Sequence, residues 1–160
     1  MTTKHAVAFI EPEMLKYKEF AFRRLARIGR IVFRGDVILK VDMLESLFLN
    51  NFQSVPGNIW RALVEHLSER KSHVIVIQGD QSIVNSVLQK IGTHDDPAEC
   101  DDSTLRYYLD MRLKNKPTSK LLGDGSMYHP RRIQCAKTVE EAQVWGKALL
   151  NGSFHLMKTT

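Results

Sequence analysis

The chain has 160 residues, of which 43% are hydrophobic and 26% are charged. This length fits one ordinary domain with a substantial core, and the composition is that of a folded chain rather than a disordered one. No apolar run approaches the roughly 20 residues that a membrane-spanning helix requires, and the first residues lead directly into a strand-like segment. We therefore expect an intracellular, cytoplasmic protein with no membrane partner, one domain at residues 1–152 and a tail at residues 153–160.

The formal net charge of +5 favours weak attraction to phosphate-rich partners, although many basic proteins bind no nucleic acid. The two cysteines, Cys100 and Cys135, match no metal-ligand spacing. Because we expect a reducing compartment, we expect both cysteines to be free thiols.

The first half of the chain alternates between strand-like and helical patterns. The apolar run at residues 6–10 predicts a buried strand that ends at a Glu-Pro pair. Apolar residues then recur at helical spacing, which predicts an amphipathic helix over residues 14–28 that closes near Gly29. The β-rich residues 31–41 predict either one bulged strand or a pair of strands, because Gly35 and Asp36 interrupt them.

The second half opens with helical spacing at residues 44–48 and 59–67. Residues 74–77 are apolar at every position, which predicts a strand covered on both faces. A helix at residues 83–91, a polar loop at 93–103, a short helix at 104–113 and a loop or hairpin at 114–130 follow. A strand at 131–135 comes next, and the capping box of Thr138 and Glu141 then opens the last helix.

The predicted order is strand, helix, strand, two helices, strand, helix, loop, strand, helix. This order is typical of an α+β domain with a ferredoxin-like antiparallel sheet, βαββαβ, and covering helices.

Three segments resemble motifs of the nucleoside diphosphate kinase family, in the order in which that family has them. Residues 10–13, IEPE, resemble the I-K-P-D that ends its first strand. Residues 92–106 resemble its nucleotide loop through Pro97-Ala98 and Thr104-Leu105-Arg106. Residues 131–142, RRIQCAKTVEEA, resemble its active strand, N-x-I-H-G-S-D-S-V-E-x-A. The resemblance implies a divergent member of the family with its fold and, by default, a homo-oligomer.

The resemblance also implies that the family's chemistry has been lost. That chemistry is phosphoryl transfer through a phosphohistidine, which needs an imidazole nitrogen as the nucleophile. Gln134 stands at the position of that histidine. The lone pair of a carboxamide nitrogen is delocalised into its carbonyl group, so glutamine is a hydrogen-bonding residue and not a useful nucleophile. We expect no catalytic residue here and interpret the chain as a binding or structural scaffold, with a protein partner.

The positions that contact phosphate in the family are altered as well. Glu11 stands in the place of a lysine, which reverses the charge, and Arg131 stands in the place of an asparagine. Asn51 or Phe52 takes the place of a tyrosine. Leu88 stands in the place of an arginine, Asp95 lies near the place of a threonine, and Ala136 stands in the place of a serine. Arg106 is retained, so a nucleotide would contact Arg106, Arg131, Phe52 and Glu11, and would bring Mg²⁺ as the cofactor.

The alternative is an active nucleoside diphosphate kinase or nucleotide phosphohydrolase with a non-standard nucleophile. His129, just before Pro130, is one candidate, although a loop histidine without a function is the commoner case. Cys135 is the other, although nothing flanking it dependably stabilises a thiolate except Arg131, Arg132 and Lys137 nearby in sequence.

The loop after Gly92 carries His94, Asp95 and Asp96 and four further potential ligands. Carboxylates and imidazoles bind divalent ions, but the loop has no ligand-spacing signature. We interpret it as a solvated acidic loop and expect no metal site.

The segment between Arg106 and Gln134 is longer than in the family, which predicts a basic insertion at about residues 107–130. Its lysines and arginines, with those that follow it, are candidates for contacts with nucleic-acid phosphates or with a protein partner: Arg112, Lys114, Lys116, Lys120 and Arg132. A nucleic-acid contact and a protein-docking hairpin both remain open at this point.

Overall fold

The computed structural model describes residues 3–49, 55, 57–113 and 119–150. Their strands are β1 (Lys4–Ile10), β2 (Arg30–Ile38), β3 (Lys71–Gly79), β4 (Lys120–Leu121), β5 (Met127–Tyr128) and β6 (Ile133–Cys135). Their α-helices are α1 (Lys18–Ala26), α2 (Val41–Phe48), α3 (Gly57–Leu67), α4 (Ile83–Ile91), α5 (Leu105–Arg112) and α6 (Val139–Leu150). Asn51, Phe52, Lys114, Lys116 and the tail at 153–160 lie outside the described residues.

Four strands form an antiparallel sheet in the order β2-β3-β1-β6. The two central strands pair along their whole length, with Val7 opposite Val76, and β6 adds Gln134 opposite Phe9. This is the strand arrangement that the predicted βαββαβ order requires, so the α+β ferredoxin-like fold is confirmed. No helix in the described part of the chain is long and apolar enough to cross a membrane.

The core lies where the helices cover β1 and β3. The last five residues of β1 and six consecutive residues of β3 are buried, which explains why both segments are apolar at nearly every position. Trp145 of α6 packs against Phe9 and Phe48, with ring centroids 5.7 and 5.6 Å away. Its indole Nε1–H donates to the carbonyl oxygen of Leu47, 3.2 Å away, so the buried polar tip is satisfied.

Two predicted elements differ in detail from the structure. The segment predicted as one helix at residues 14–28 begins as a 3₁₀ helix, Pro12–Tyr17, and becomes α-helical only in α1. The segment at residues 31–41 contains one strand, and its register shift lies between Ile31 and Phe33 instead of at Gly35. Gly35 pairs normally with Val74, so the glycine does not interrupt the strand.

The capping box before α6 is present in a modified form. The backbone N–H of Glu141 donates to Oγ1 of Thr138 at 3.0 Å, as predicted. The Glu141 carboxylate accepts from the backbone N–H of Lys137 at 2.7 Å, one residue before the usual partner. The predicted loop or hairpin at 114–130 contains a hairpin, formed by β4 and β5.

Gly29 allows the chain to pass close to β3 between α1 and β2. A Cβ atom there would lie 2.6 Å from the carbonyl oxygen of Gln78 and 2.8 Å from Cγ2 of Ile77. We predict that Gly29→Ala lowers the free energy of unfolding by about 1–3 kcal/mol, because backbone must move to relieve the overlap. Chemical denaturation measures this change. Gly123→Ala is the matched control, since its Cβ would meet nothing within 4 Å; equal stability of the two variants would contradict the prediction.

Candidate functional site

The carboxylate of Glu11 is fully buried at the end of β1. The backbone N–H of Glu11 donates to the carbonyl oxygen of Arg132 at 2.9 Å, which extends the pairing of β1 with the chain that leads into β6. In return, the backbone N–H of Arg132 donates to Oε1 of Glu11 at 2.8 Å. Arg132 has a φ of 71°, a left-handed conformation that is costly for a residue with a side chain.

Gln134 supplies the next donor to the same carboxylate. Its Nε2 donates to Oε2 of Glu11 at 2.9 Å, and the residue is 3% exposed. The alternation of side chains along β6 places Gln134 and Glu11 within reach, because Gln134 lies opposite Phe9, two residues before Glu11. The amide nitrogen of Gln134, the residue that the sequence resemblance aligns with a histidine, is therefore engaged in a buried hydrogen bond to a charged acceptor.

A second set of ion pairs continues from Arg132. Its Nη1 donates to Oε2 of Glu13 and its Nε donates to Oδ1 of Asp110, both at 3.0 Å. All three side chains are at least 92% buried. Removing one member would leave a buried charge without compensation, so the set has to act as a unit.

His66, in the last turn of α3, completes the cluster. Its Nε2 lies 3.2 Å from Oε1 of Glu11 and between the two oxygens of Glu13, at 3.1 Å from Oε1 and 3.2 Å from Oε2. Burial alone would lower the pKa of His66, but hydrogen bonds and attraction to both glutamates outweigh it and raise the pKa to about 9. His66 is therefore an imidazolium at neutral pH.

The two glutamates differ in protonation behaviour. Burial tends to raise the pKa of Glu11, but the donors from His66, Gln134 and Arg132 prevail and lower it well below the ordinary value. Burial and the charge of Glu11 raise the pKa of Glu13. The hydrogen bond and the charge of His66 oppose that rise in the pKa of Glu13. We call Glu11, Glu13, His66, Asp110, Arg132 and Gln134 the buried polar cluster.

Gln134 also borders a small basic pocket of about 70 Å³. The described residues that line it include no histidine; they are Phe48, Asp95, Arg106, Arg131, Gln134, Cys135, Lys137 and Trp145. Nη2 of Arg131 pairs with Asp95 at 3.1 Å, while the buried Nε of Arg131 has no hydrogen-bond partner among the described residues. The pocket has room for a phosphate-sized group and is well below the roughly 300 Å³ of typical small-molecule pockets.

Comparisons with known proteins identify the fold of the chain. No protein-family model matches the sequence, and no curated protein matches it. A nucleoside diphosphate kinase structure from Encephalitozoon cuniculi superposes with a TM-score of 0.71 at 18% identity, covering 94% of this chain and 91% of that chain. The enzyme from Aquifex aeolicus gives 0.71 at 14% identity, covering 94% and 97%. The chain has the nucleoside diphosphate kinase-like fold.

A third structure with this fold contains ligands. The nucleoside diphosphate kinase from Borrelia burgdorferi, a transition-state mimic with bound vanadate and ADP, superposes with a TM-score of 0.65 at 14% identity. It covers 89% of this chain and 83% of that chain. At such identities the likeness establishes the nucleoside diphosphate kinase-like fold and nothing about the activity.

Arg106, which the sequence resemblance predicts to contact phosphate, is mainly engaged with the backbone. Its Nε donates to the carbonyl oxygen of Ile133 at 2.9 Å, and its Nη1 donates to that of His94 at 3.0 Å. The residue is 5% exposed. These bonds fix the loop after Gly92 against β6, so Arg106 has a structural task in addition to any contact with a ligand.

Cys135 does not have the environment of a nucleophile. It is 5% exposed, and burial raises the pKa of its thiol to about 12 despite the nearby Arg106. The thiolate, which is the reactive form, is thus disfavoured at neutral pH. The sequence provides only weak support for a reactive Cys135, and it does not show how deeply β6 is buried.

His129 lies apart from the basic pocket. Its Nδ1 is hydrogen-bonded to Oγ of Ser119, and the same nitrogen is 3.8 Å from Oδ2 of Asp96. In a Ser-His-Asp relay the hydroxyl and the carboxylate contact opposite nitrogens of the imidazole. The described contacts of His129 therefore do not form such a relay.

The predicted basic insertion needs one correction. Arg132 is 2% exposed and belongs to the buried polar cluster, so it cannot contribute to a basic surface. Lys120 is exposed and lies 3.8 Å from Glu65, and the guanidinium of Arg112 lies over the ring of Tyr108, 4.1 Å from its centroid. The loop at 93–103 is also not simply solvated, because Asp95 pairs with Arg131.

His66, Glu13 and Asp110 were missed as site residues in the sequence. One signal was available for His66, which lies four residues after Ala62 on the buried side of α3. A titratable residue at such a position requires a buried partner. The sequence does not say which one, because Glu11 and Glu13 come from a distant segment.

Substitution of Arg132 should destabilise the protein more than substitution of any other residue of the buried polar cluster. We predict that Arg132→Met lowers the free energy of unfolding by about 3–5 kcal/mol, because Glu13 and Asp110 lose a buried counter-charge. Lys40→Met is the control, since Lys40 pairs with Glu69 on the surface and such pairs contribute about 0–1 kcal/mol. Urea denaturation compares the two, and a loss at Arg132 no larger than at Lys40 would refute the prediction.

The raised pKa of His66 predicts a pH dependence of stability in metal-free protein. The pKa is higher in the folded state than the ordinary 6.5, so the stabilisation is complete below pH 6.5 and disappears as the pH rises through about 9. The loss should be on the order of 3 kcal/mol, and His66→Gln should remove this pH dependence. Denaturation curves at a series of pH values in a chelating buffer test this, and a wild-type stability that is flat between pH 6.5 and 9.5 would contradict it.

Proposed function

We propose that this chain does not transfer phosphate through a histidine and acts instead as a binding or structural module built on the nucleoside diphosphate kinase-like fold. The observation that carries the proposal is the buried bond from Nε2 of Gln134 to Glu11. An amide nitrogen has no available lone pair, and here its N–H is also engaged with a carboxylate. A phosphoryl group approaching Gln134 would therefore meet no nucleophile.

The surroundings of the other candidate nucleophiles give little support to phosphoryl transfer. Burial keeps the Cys135 thiol protonated, and the imidazolium of His66 has no lone pair on Nε2. His129 retains an imidazole, but its Nδ1 is occupied by Ser119. An active kinase or phosphohydrolase therefore remains the second alternative, with His129 as its remaining candidate.

Weak anion binding in the basic pocket is part of the proposal. Arg106, Arg131 and Lys137 face a single lining carboxylate, Asp95, so the described lining residues carry a net positive charge. The unpartnered Nε of Arg131 is a donor that a phosphate oxygen could accept from. A nucleotide held in this way would bring Mg²⁺ on its phosphates, and Glu11 would not contact it because the side chain is fully buried.

The partner we favour is a protein. Leu121 and Met127 on the β4–β5 hairpin are 69% and 42% exposed, which suits an apolar contact better than a phosphate backbone. A homo-oligomer is the accompanying proposal, since β2 lies at the edge of the sheet and exposes Val32 and Ile38. Binding of nucleic acid to the basic insertion stays a prediction of the sequence, now without Arg132.

Incubation of the purified chain with ATP labelled on the γ-phosphate tests the central proposal. We expect no acid-labile phosphoprotein at any pH between 6 and 9, in contrast to an active nucleoside diphosphate kinase treated alongside. Labelling of the wild-type chain would refute the proposal. If labelling occurred, its disappearance in His129→Ala but not in Cys135→Ala would assign the activity to the second alternative.

A further inference from the structure

Two glutamates and a histidine direct ligand atoms toward one point at the end of β1. Nε2 of His66 lies 3.2 Å from Oε1 of Glu11 and 3.1 Å from Oε1 of Glu13. The ligand atoms of all three residues lie within 4.8 Å of one another. A tetrahedral ion with bonds of about 2.0–2.2 Å separates its ligand atoms by about 3.3–3.6 Å. The two separations from His66 are therefore close to those of a metal-bound set.

One of these ligand atoms has no hydrogen bond. Oε1 of Glu13 is buried and accepts none from the described residues, although its side chain is only 8% exposed. Burial of a carboxylate oxygen without a donor or cation is unfavourable. The single Nε2–H of His66 cannot point linearly at Glu11 and at both oxygens of Glu13. A protonated His66 therefore leaves Oε1 of Glu13 without a hydrogen bond.

The charge of the buried polar cluster also favours a cation. Two carboxylates, those of Glu11 and Glu13, contact the imidazole of His66. A divalent ion bound to neutral His66 carries a charge equal and opposite to that of these two carboxylates. Low dielectric surroundings increase the benefit of neutralising a buried net charge.

We propose that Glu11, Glu13 and His66 bind a divalent first-row transition ion, with Zn²⁺ as the probe. An imidazole with two carboxylates suits such ions, whereas Ca²⁺ and Mg²⁺ prefer sets made of oxygen with six or more ligands. The Arg132 N–H and the Gln134 amide hold the Glu11 carboxylate in place, as hydrogen bonds commonly do for metal-binding carboxylates. The ion links α3 to the end of β1.

The site has a route from solvent. His66 lines a cavity of about 280 Å³ together with Tyr128, Pro130 and Lys120. This cavity is large enough for several water molecules, so a hydrated ion can reach the imidazole and a water can complete its coordination. The proposal does not depend on the loss of kinase activity, because no residue of the basic pocket other than Gln134 contributes to it.

The test is calorimetric titration of the untagged full chain, freed of metal by a chelator, with ZnCl₂ and separately with MgCl₂. We expect one Zn²⁺ per chain, an unfolding midpoint that rises with Zn²⁺ concentration, and no comparable binding of Mg²⁺. His66→Gln keeps a donor toward the two glutamates but removes the imidazole, so it should weaken Zn²⁺ binding at least 100-fold.

His73→Gln is the matched control. His73 is also a buried histidine that contacts a carboxylate, with its Nδ1 2.7 Å from Oδ1 of Asp36, and it lies outside the proposed site. This variant should bind Zn²⁺ as the wild type does. Absence of binding to the wild type, equal affinity in His66→Gln, or an equal loss in His73→Gln would each overturn the proposal.

A direct measurement on the wild type keeps the test decisive if His66→Gln fails to fold. Nitrogen NMR of the histidine rings during the Zn²⁺ titration should show the Nε2 resonance of His66 shifting from a protonated to a metal-bound position. Resonances of the other rings should stay unchanged. A His66 ring that remains protonated at saturating Zn²⁺ would overturn the proposal.

Discussion

The carboxylate of Glu11 has no solvent contact and therefore requires hydrogen-bond donors from the protein. Because Glu11 lies at the end of β1, these donors come from three segments of the chain. The backbone of Arg132, the amide of Gln134 and the imidazole of His66 all point at its two oxygens. These groups come from the turn before β6, from β6 itself and from α3. The sheet and the helices around this corner are therefore positioned by one buried charge as well as by apolar packing.

The two residues on which the proposed loss of catalysis mainly rests, Glu11 and Gln134, are physically coupled. In the family pattern a lysine and a histidine occupy the positions of Glu11 and Gln134. Here a charged acceptor and a neutral donor stand in their places and bond to each other at 2.9 Å. A lysine in place of Glu11 would lose this pairing and leave Glu13 and Asp110 with a different balance of charge. The cluster thus serves as an internal support of the fold.

Much of the architecture could be predicted from the sequence, and the polar cluster could not. Residues 74–77 are apolar throughout because β3 is covered on both faces, so periodicity alone identified a central strand. The register that places Gln134 opposite Phe9 has no such signature, since it depends on which strands become neighbours. Arg132 was assigned to a basic surface because its neighbours in sequence are basic. Its burial follows from Glu13 and Asp110, which only the folded chain brings to it.

The central claim is that the amide at position 134 stabilises the buried carboxylate at position 11. A double-mutant cycle with Glu11→Met and Gln134→Met, followed by urea denaturation in a chelating buffer at pH 7, measures this coupling directly. A hydrogen bond to a buried charged group predicts a coupling energy of about 1.5–3 kcal/mol. Additive effects of the two substitutions, within about 0.5 kcal/mol, would contradict the account.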